Sequence, residues 1–231
     1  MLTKLKQDMQ KLSSKEKAKL LARFFKTGKG EYGYGDIFLG ITVPETRNIA
    51  KKYSNLNLDY AKELLKSKIH EHRLVALLIL IEKFRNSNEK DKGNIINFYL
   101  AHTTYINNWD LVDLSSHQIL GNYLMNKDKS ILYKLAKSDN LWEKRISIIS
   151  TAYFIKNNKF QDTLNISKIL LKDKHDLVHK AVGWMLREIG KRNLKVEEEF
   201  LKKHYKQMPR TTLRYAIEKF SKNKREFYLK N

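Results

Sequence analysis

Cysteine is absent from this chain of 231 residues. That excludes disulfide frameworks, thiolate nucleophiles and cysteine-ligated zinc at a stroke. Proline is nearly absent too, with Pro44 and Pro209 the only two. Each stands where a helix can begin, Pro44 before Glu45-Thr46-Arg47 and Pro209 after Met208, because a missing N–H costs nothing in a first helical turn. Glycine is scarce, and five of the nine crowd into residues 28–40. Long apolar runs are lacking. The opening MLTKLKQDMQKL has no continuous apolar stretch of signal-peptide length, and no later run approaches a membrane span, so a soluble cytoplasmic protein is expected.

Acidic residues are outnumbered rather than absent. Lys and Arg total 46 against 25 Asp and Glu, a formal charge of +21. A surplus on that scale concentrates polyanions near the surface and speeds encounter with phosphate backbones. A biased lysine- and asparagine-rich composition gives the same count without a polyanion partner, so charge alone leaves both readings open.

Apolar residues recur at intervals of three and four throughout: Leu20, Leu21, Phe24 and Phe25; Leu74, Leu77, Leu78 and Ile81; Ile146, Ile149 and Tyr153. Alternating strand-like runs bounded by turn pairs are missing. The expectation is an all-α chain, with helices near 2–11, 14–26, 44–53, 58–66, 70–85, 89–102, 108–124, 129–137, 141–156, 160–171, 175–191, 195–206, 209–220 and 222–229. Short connections suggest antiparallel helix pairs stacked in a row, an α-solenoid, with a compact bundle as the alternative. Residues 28–40, GKGEYGYGDIFLG, form a loop. Their G-x-G-x-x-G match follows a helical run and not a strand, which removes the βαβ context a dinucleotide site needs. Tyr32 and Tyr34 make that loop either a nucleic-acid contact or a plain connection.

Four groups of residues offer chemistry. Trp109 and Asp113 are four apart, which puts an indole and a carboxylate on one helix face. Arg145 falls among Trp142, Ile146, Ile149, Ala152 and Tyr153 on one side of a helix, where a guanidinium needs an anionic partner. A salt bridge to Asp113 is the structural reading, and a combined grip on Asp113 and a phosphate the functional one. Lys180, Trp184, Arg187 and Lys191 draw a single basic stripe with an indole inside it, suited to a phosphate backbone, although Trp184 equally suits a core. His175 and His179 have zincin spacing with Asp176 in place of glutamate, and His70 and His72 are too close to share a helix face. No third ligand can be assigned, so no metal is expected.

At these residues the chain resembles the DNA alkylation repair glycosylases of the AlkD family, across essentially its whole length. The resemblance runs through Phe38-Leu-Gly-Ile-Thr-Val-Pro44, Asn108-Trp-Asp-Leu-Val-Asp113, Ser138-Asp-Asn-Leu-Trp-Glu-Lys-Arg145 and His179-Lys-Ala-Val-Gly-Trp-Met-Leu-Arg-Glu188. It implies one domain over 1–231, a superhelical stack of HEAT-like helix pairs whose concave basic surface holds duplex DNA. It also implies a monomer that excises N3-alkyladenine and N7-alkylguanine, leaving an abasic site, without metal or cofactor. Carried over by position, the carboxylate is Asp113, the aromatic partners are Trp109 and Trp184, and the supporting cation is Arg145. Phe24 stands where the best-known branch has tyrosine, and with Lys180, Arg187 and Lys191 it is expected on the DNA. The loop at 28–40 is longer than in that branch. Relatives that lack the acid bind branched or bent DNA without catalysis, which is the alternative function. A HEAT-like scaffold for acidic proteins is a third.

Overall fold

The computed structural model describes residues 1–230, and among them no β-strand occurs. Ile37 and Ile69 form an isolated parallel bridge, and every other element is helical. The chain divides into two compact units, Met1–Ser115 and Ser116–Asn231.

The first unit is built on one buried helix. It contains α1 (Leu2–Lys11), α2 (Lys15–Phe24), α3 (Val43–Lys52), α4 (Leu58–Leu65), α5 (His70–Arg85), α6 (Glu89–Ala101) and the start of α7 (Trp109–Ser116). From His70 to Ile81 every residue of α5 is buried, so this helix is covered on all sides; α3, α4 and α6 pack against it. A helix apolar all round must be interior, which explains why HEHRLVALLILI shows no polar face after its first turn. Helix α3 starts on a reciprocal capping box. Thr42 accepts from the Glu45 N–H, Glu45 accepts from the Thr42 N–H at 2.8 Å, and Pro44 occupies the first turn as expected. Helix α2 departs from its pattern. It is helical, but none of its residues is buried, and Leu20 and Phe24 are 64% and 63% exposed. Of the expected apolar stripe, Leu20 and Phe24 face solvent, Leu21 is half-buried, and Phe25, just past the end of the helix, is buried.

The second unit contains α8 (Asn122–Leu124), α9 (Ser130–Ala136), α10 (Leu141–Ser150), α11 (Ala152–Lys156), α12 (Gln161–Leu170), α13 (Asp176–Gly190), α14 (Leu194–His204), α15 (Arg210–Ala216) and α16 (Lys222–Lys230). Here α13 is central, with α10, α12, α14 and α15 against it. Contact with α15 depends on Gly183, because a Cβ there would lie 2.4 Å from the Thr212 carbonyl oxygen and 2.5 Å from Tyr215 Cβ. Glycine is required by that close approach.

Boundaries differ from the expected ones where side chains compete with the helix ladder. The expected helix 141–156 breaks at Thr151 into α10 and α11. Three hydroxyl or amide donors act there: Ser150 to Ile146 O at 2.7 Å, Thr151 to Ile148 O at 2.6 Å, and the Thr151 N–H to Ile148 O at 3.2 Å. Such back-bonding bends helices. Between α7 and α8 the expected helix 108–124 contains a π turn, His117–Gly121. Pro209 immediately precedes α15, where it was expected.

Candidate functional site

The candidate site residues fall into two clusters, one in each unit. The first is centred on α7. Asn108, fully buried, accepts the Trp109 N–H at 2.8 Å and starts the helix. Leu111, Val112, Ser115 and Ser116 turn inward, while Trp109 and Asp113 share a half-buried face, as their spacing predicts. Trp109 stacks on Phe25 (centroids 5.1 Å apart, planes at 20°) and meets the Phe24 edge at 5.8 Å. The exposed Phe24 therefore belongs to the Trp109 surface, while Phe25 lies beneath it. From α6, fully buried Tyr99 bonds to Ser115 Oγ at 2.9 Å, and Ser115 donates to the Leu111 carbonyl at 2.6 Å. Burial pushes the Tyr99 phenol well above its ordinary range. The Ser115 bond opposes this and the nearby negative charge of Asp113 adds to it.

Beneath Trp109 lies a network no motif announced. His70 stacks with Phe38 (4.6 Å between centroids) and meets Phe25 in a tilted contact (4.9 Å, planes at 35°). Its Nε2 is 2.8 Å from Asp110 Oδ2 and its Nδ1 3.4 Å from Asp36 Oδ2. Arg73 donates to Asp36 at 2.6 Å and to the Ser67 carbonyl at 2.9 Å, and Asp110 Oδ1 accepts the Leu111 N–H at 2.8 Å. Burial works against a charged His70, but the charge and hydrogen bond of Asp110, joined by Asp36, outweigh it and hold the imidazole above its ordinary range. Asp36 is likewise pushed up by burial and brought below the ordinary carboxylate range by His70 and Arg73. Two buried carboxylates facing one guanidinium and one imidazolium make a balanced set.

The same turn of α5 fixes the glycine-rich loop. Glu71, 2% exposed, accepts the main-chain N–H groups of Leu39, Gly40 and Ile41 at 2.9, 2.8 and 3.3 Å. Ile37 is tied on both sides, to Lys68 O at 3.0 Å and from the His70 N–H at 2.8 Å. Gly40, at φ +81°, passes so close to α2 that a Cβ would sit 2.2 Å from the Ser14 carbonyl. Residues 36–41 are therefore a fixed strap, while Tyr34 remains exposed. His72 points elsewhere, to Ser67 Oγ at 3.0 Å, and burial with the Lys6 charge lowers it to about 4. His70 and His72 thus diverge, as their spacing required.

The second cluster lies on α10 and α13. Arg145 is 5% exposed among Trp142, Ile146 and Ile149, and it donates to the Leu177 carbonyl in the first turn of α13. One arm of the expected anion-seeking guanidinium is therefore spent on main chain. Lys180, Trp184, Arg187 and Lys191 do form one stripe on α13, and each cation in it has a carboxylate partner. Lys180 pairs with Asp176 at 2.8 Å, Arg187 with Glu218, and Lys191 with Glu188 at 2.6 Å. Trp184 is half-buried, and its indole N–H donates to Glu188 at 3.1 Å. Glu188 thus orients the tryptophan and neutralises a neighbouring lysine, a role its place in the matched sequence block did not reveal. The zincin-spaced pair has structural duties: His175 Nδ1 accepts the Leu177 N–H at 3.1 Å, and His179 Nε2 donates to the Asp173 carbonyl at 2.6 Å. Among the described residues, no group of three or more His, Cys, Asp or Glu side chains is placed to hold a metal ion.

The half-buried Trp109–Asp113 face, set over a charge-balanced base, is the candidate site of this all-α, positively charged chain. Comparison with known proteins gives the class. The family model described as DNA alkylation repair enzyme matches residues 5–220, and the chain belongs to that family. A solved structure titled "Predicted DNA alkylation repair enzyme from Enterococcus faecalis" shares the fold, with a TM-score of 0.69, 16% identity, and coverage of 91% of this chain and 97% of that one. No curated protein matches.

Proposed function

We propose that the chain is a DNA glycosylase acting on purines made cationic by N3 or N7 alkylation, in duplex DNA. The observation that carries this reading is the half-buried Trp109–Asp113 face on α7, found in a member of the DNA alkylation repair enzyme family. Alkylation puts positive charge on the purine and weakens its bond to C1′. As that bond breaks, its electron pair returns to the base nitrogen and neutralises the ring, while C1′ gains oxocarbenium character. A carboxylate at Asp113 stabilises that cation and orients water. The water oxygen bonds to C1′, and its proton passes to solvent or to the carboxylate. Indole faces at Trp109 and Trp184 attract cationic centres, by about 0.5–2 kcal/mol each. Arg145, already gripping main chain through one arm, has the planar fork to serve a second acceptor, a phosphate beside the lesion. Phe24, Lys180, Arg187 and Lys191 contact the duplex. For the three cations this means exchanging the carboxylates of Asp176, Glu218 and Glu188 for phosphates, so binding is accompanied by rearranged ion pairs.

The test is release of free 7-methylguanine and 3-methyladenine from methylated duplex DNA, separated from the polymer and quantified. Release by the wild-type chain supports the reading. Duplex binding without release of either base assigns the chain to the non-catalytic binders of branched or bent DNA.

A further inference from the structure

Asp113 reaches its place only through α7, and α7 is anchored at its first turn. Asp110, one residue after Trp109, is buried and directed at His70. We propose that His70 is a positioning residue for the Trp109–Asp113 face, its imidazolium tying Asp110 of α7 to Asp36 of the loop strap. What Asp113 does there rests on the glycosylase reading above; how α7 is held does not.

The geometry carries this. His70 presents a ring nitrogen to each of two carboxylates, and neutral imidazole has a single N–H. Only the protonated ring donates to both. Its surroundings are fully specified: Asp110 from α7, Asp36 from the strap and Arg73 from its own helix are the charged groups, and the Phe25 and Phe38 rings close the faces. Phe25 is also the ring on which Trp109 stacks. His70 therefore touches both supports of the tryptophan, the carboxylate next to it in sequence and the aromatic ring beneath it. Loss of the proton leaves the ring a donor to only one carboxylate; Asp36 keeps Arg73 and Asp110 keeps the Leu111 N–H, but the charged tie between the start of α7 and the strap is gone, and the first turn of α7 is held less firmly.

The experiment uses the full chain with His70→Gln and Asp110→Asn. Single-turnover excision of 7-methylguanine is followed from pH 6 to 9. In parallel, NMR records the His70 ring and the Trp109 indole N–H, assigned from Trp109→Phe. In the wild type the Trp109 resonance should move with the midpoint of the His70 titration, above the ordinary imidazole range, and excision should decline through the same pH. His70→Gln should lose about ten- to hundredfold in excision at neutral pH, the scale expected when a reacting group is displaced by about 1 Å. Its undamaged-duplex affinity should stay within about twofold, since the backbone contacts that dominate affinity lie elsewhere, and the high-pH decline should vanish. Wild-type excision with a wild-type pH profile in His70→Gln overturns the proposal. If that variant does not fold, Asp110→Asn decides: the decline should move to lower pH, and a decline left in place overturns the proposal. If the wild type releases no base, the glycosylase reading fails, and the Trp109 resonance alone judges the positioning role. A Trp109 signal indifferent to His70 titration refutes it.

Discussion

Glu197 of α14 is 1% exposed, and its Oε1 has no hydrogen-bond partner. Its carboxylate is packed against Gly190, where a Cβ would come within 1.7 Å of Oε2. Burial pushes its pKa up to about 8 from an ordinary 4.5; the Glu198 charge adds to the rise and Arg187 opposes it. The folded chain therefore keeps this proton to about pH 8, whereas the unfolded chain releases it near 4.5. Stability from this group is fully present below pH 4.5 and is lost as pH climbs from there through 8. At about 1.4 kcal/mol for each tenfold change, the gap between 4.5 and about 8 comes to about 5 kcal/mol, an upper bound because water entry relieves part of the cost. Glu197→Gln keeps the shape and removes the titration. Its unfolding midpoint should match the wild type near pH 5 and exceed it by about 4 °C or more at pH 8, given about 2–4 °C per kcal/mol for chains of this size. Thermal unfolding at matched ionic strength across pH 5–8.5 reads this directly. A midpoint difference that does not grow with pH, or a glutamine variant less stable at pH 8, refutes the reasoning.

Three further outcomes are expected. Gly183→Ala should lower stability by about 1–3 kcal/mol in denaturant unfolding, the usual cost of overpacking, because its Cβ collides with main chain of α15. Arg145→Lys keeps charge but loses the fork that reaches the Leu177 carbonyl. Loss of unfolding midpoint together with damaged-duplex affinity and excision supports the double role, and loss of stability alone leaves a structural residue. Affinity for undamaged duplex should fall log-linearly with salt; a flat response in a titration from 50 to 200 mM, the range over which backbone contacts lose most of their affinity, contradicts an electrostatic interface.

Helix positions were legible because an unbroken three–four periodicity, two prolines and one glycine cluster punctuate this chain clearly. Which faces are buried was less legible. In α2, Leu20 and Phe24 have core-type spacing yet face solvent, because periodicity reports amphipathicity and not what lies opposite. The Trp109–Asp113 pair was readable since both residues lie on one helix, where spacing alone fixes direction. The partners of the α13 stripe were not, because Glu218 is distant in sequence and Glu188 looked like one more surface acid. The network of His70, Asp36, Arg73 and Asp110 was illegible for the same reason. It joins a loop, the first turn of one helix and the first turn of another, at sequence separations up to 40 residues. The one available signal was composition: His-Glu-His-Arg opening an otherwise apolar run, where buried charge requires partners brought from elsewhere.

The central claim is that the Asp113 carboxylate promotes loss of a cationic purine, and single-turnover release of 7-methylguanine from methylated duplex tests it most directly. Asp113→Asn keeps the side-chain shape and removes the charge facing the developing cation, so the loss should fall on the chemical step. Release by the wild type is expected, with a loss of at least about 100-fold in the asparagine variant, the scale of removing one electrostatic stabiliser, and damaged-duplex affinity preserved or improved. Near-normal release by Asp113→Asn would contradict the claim.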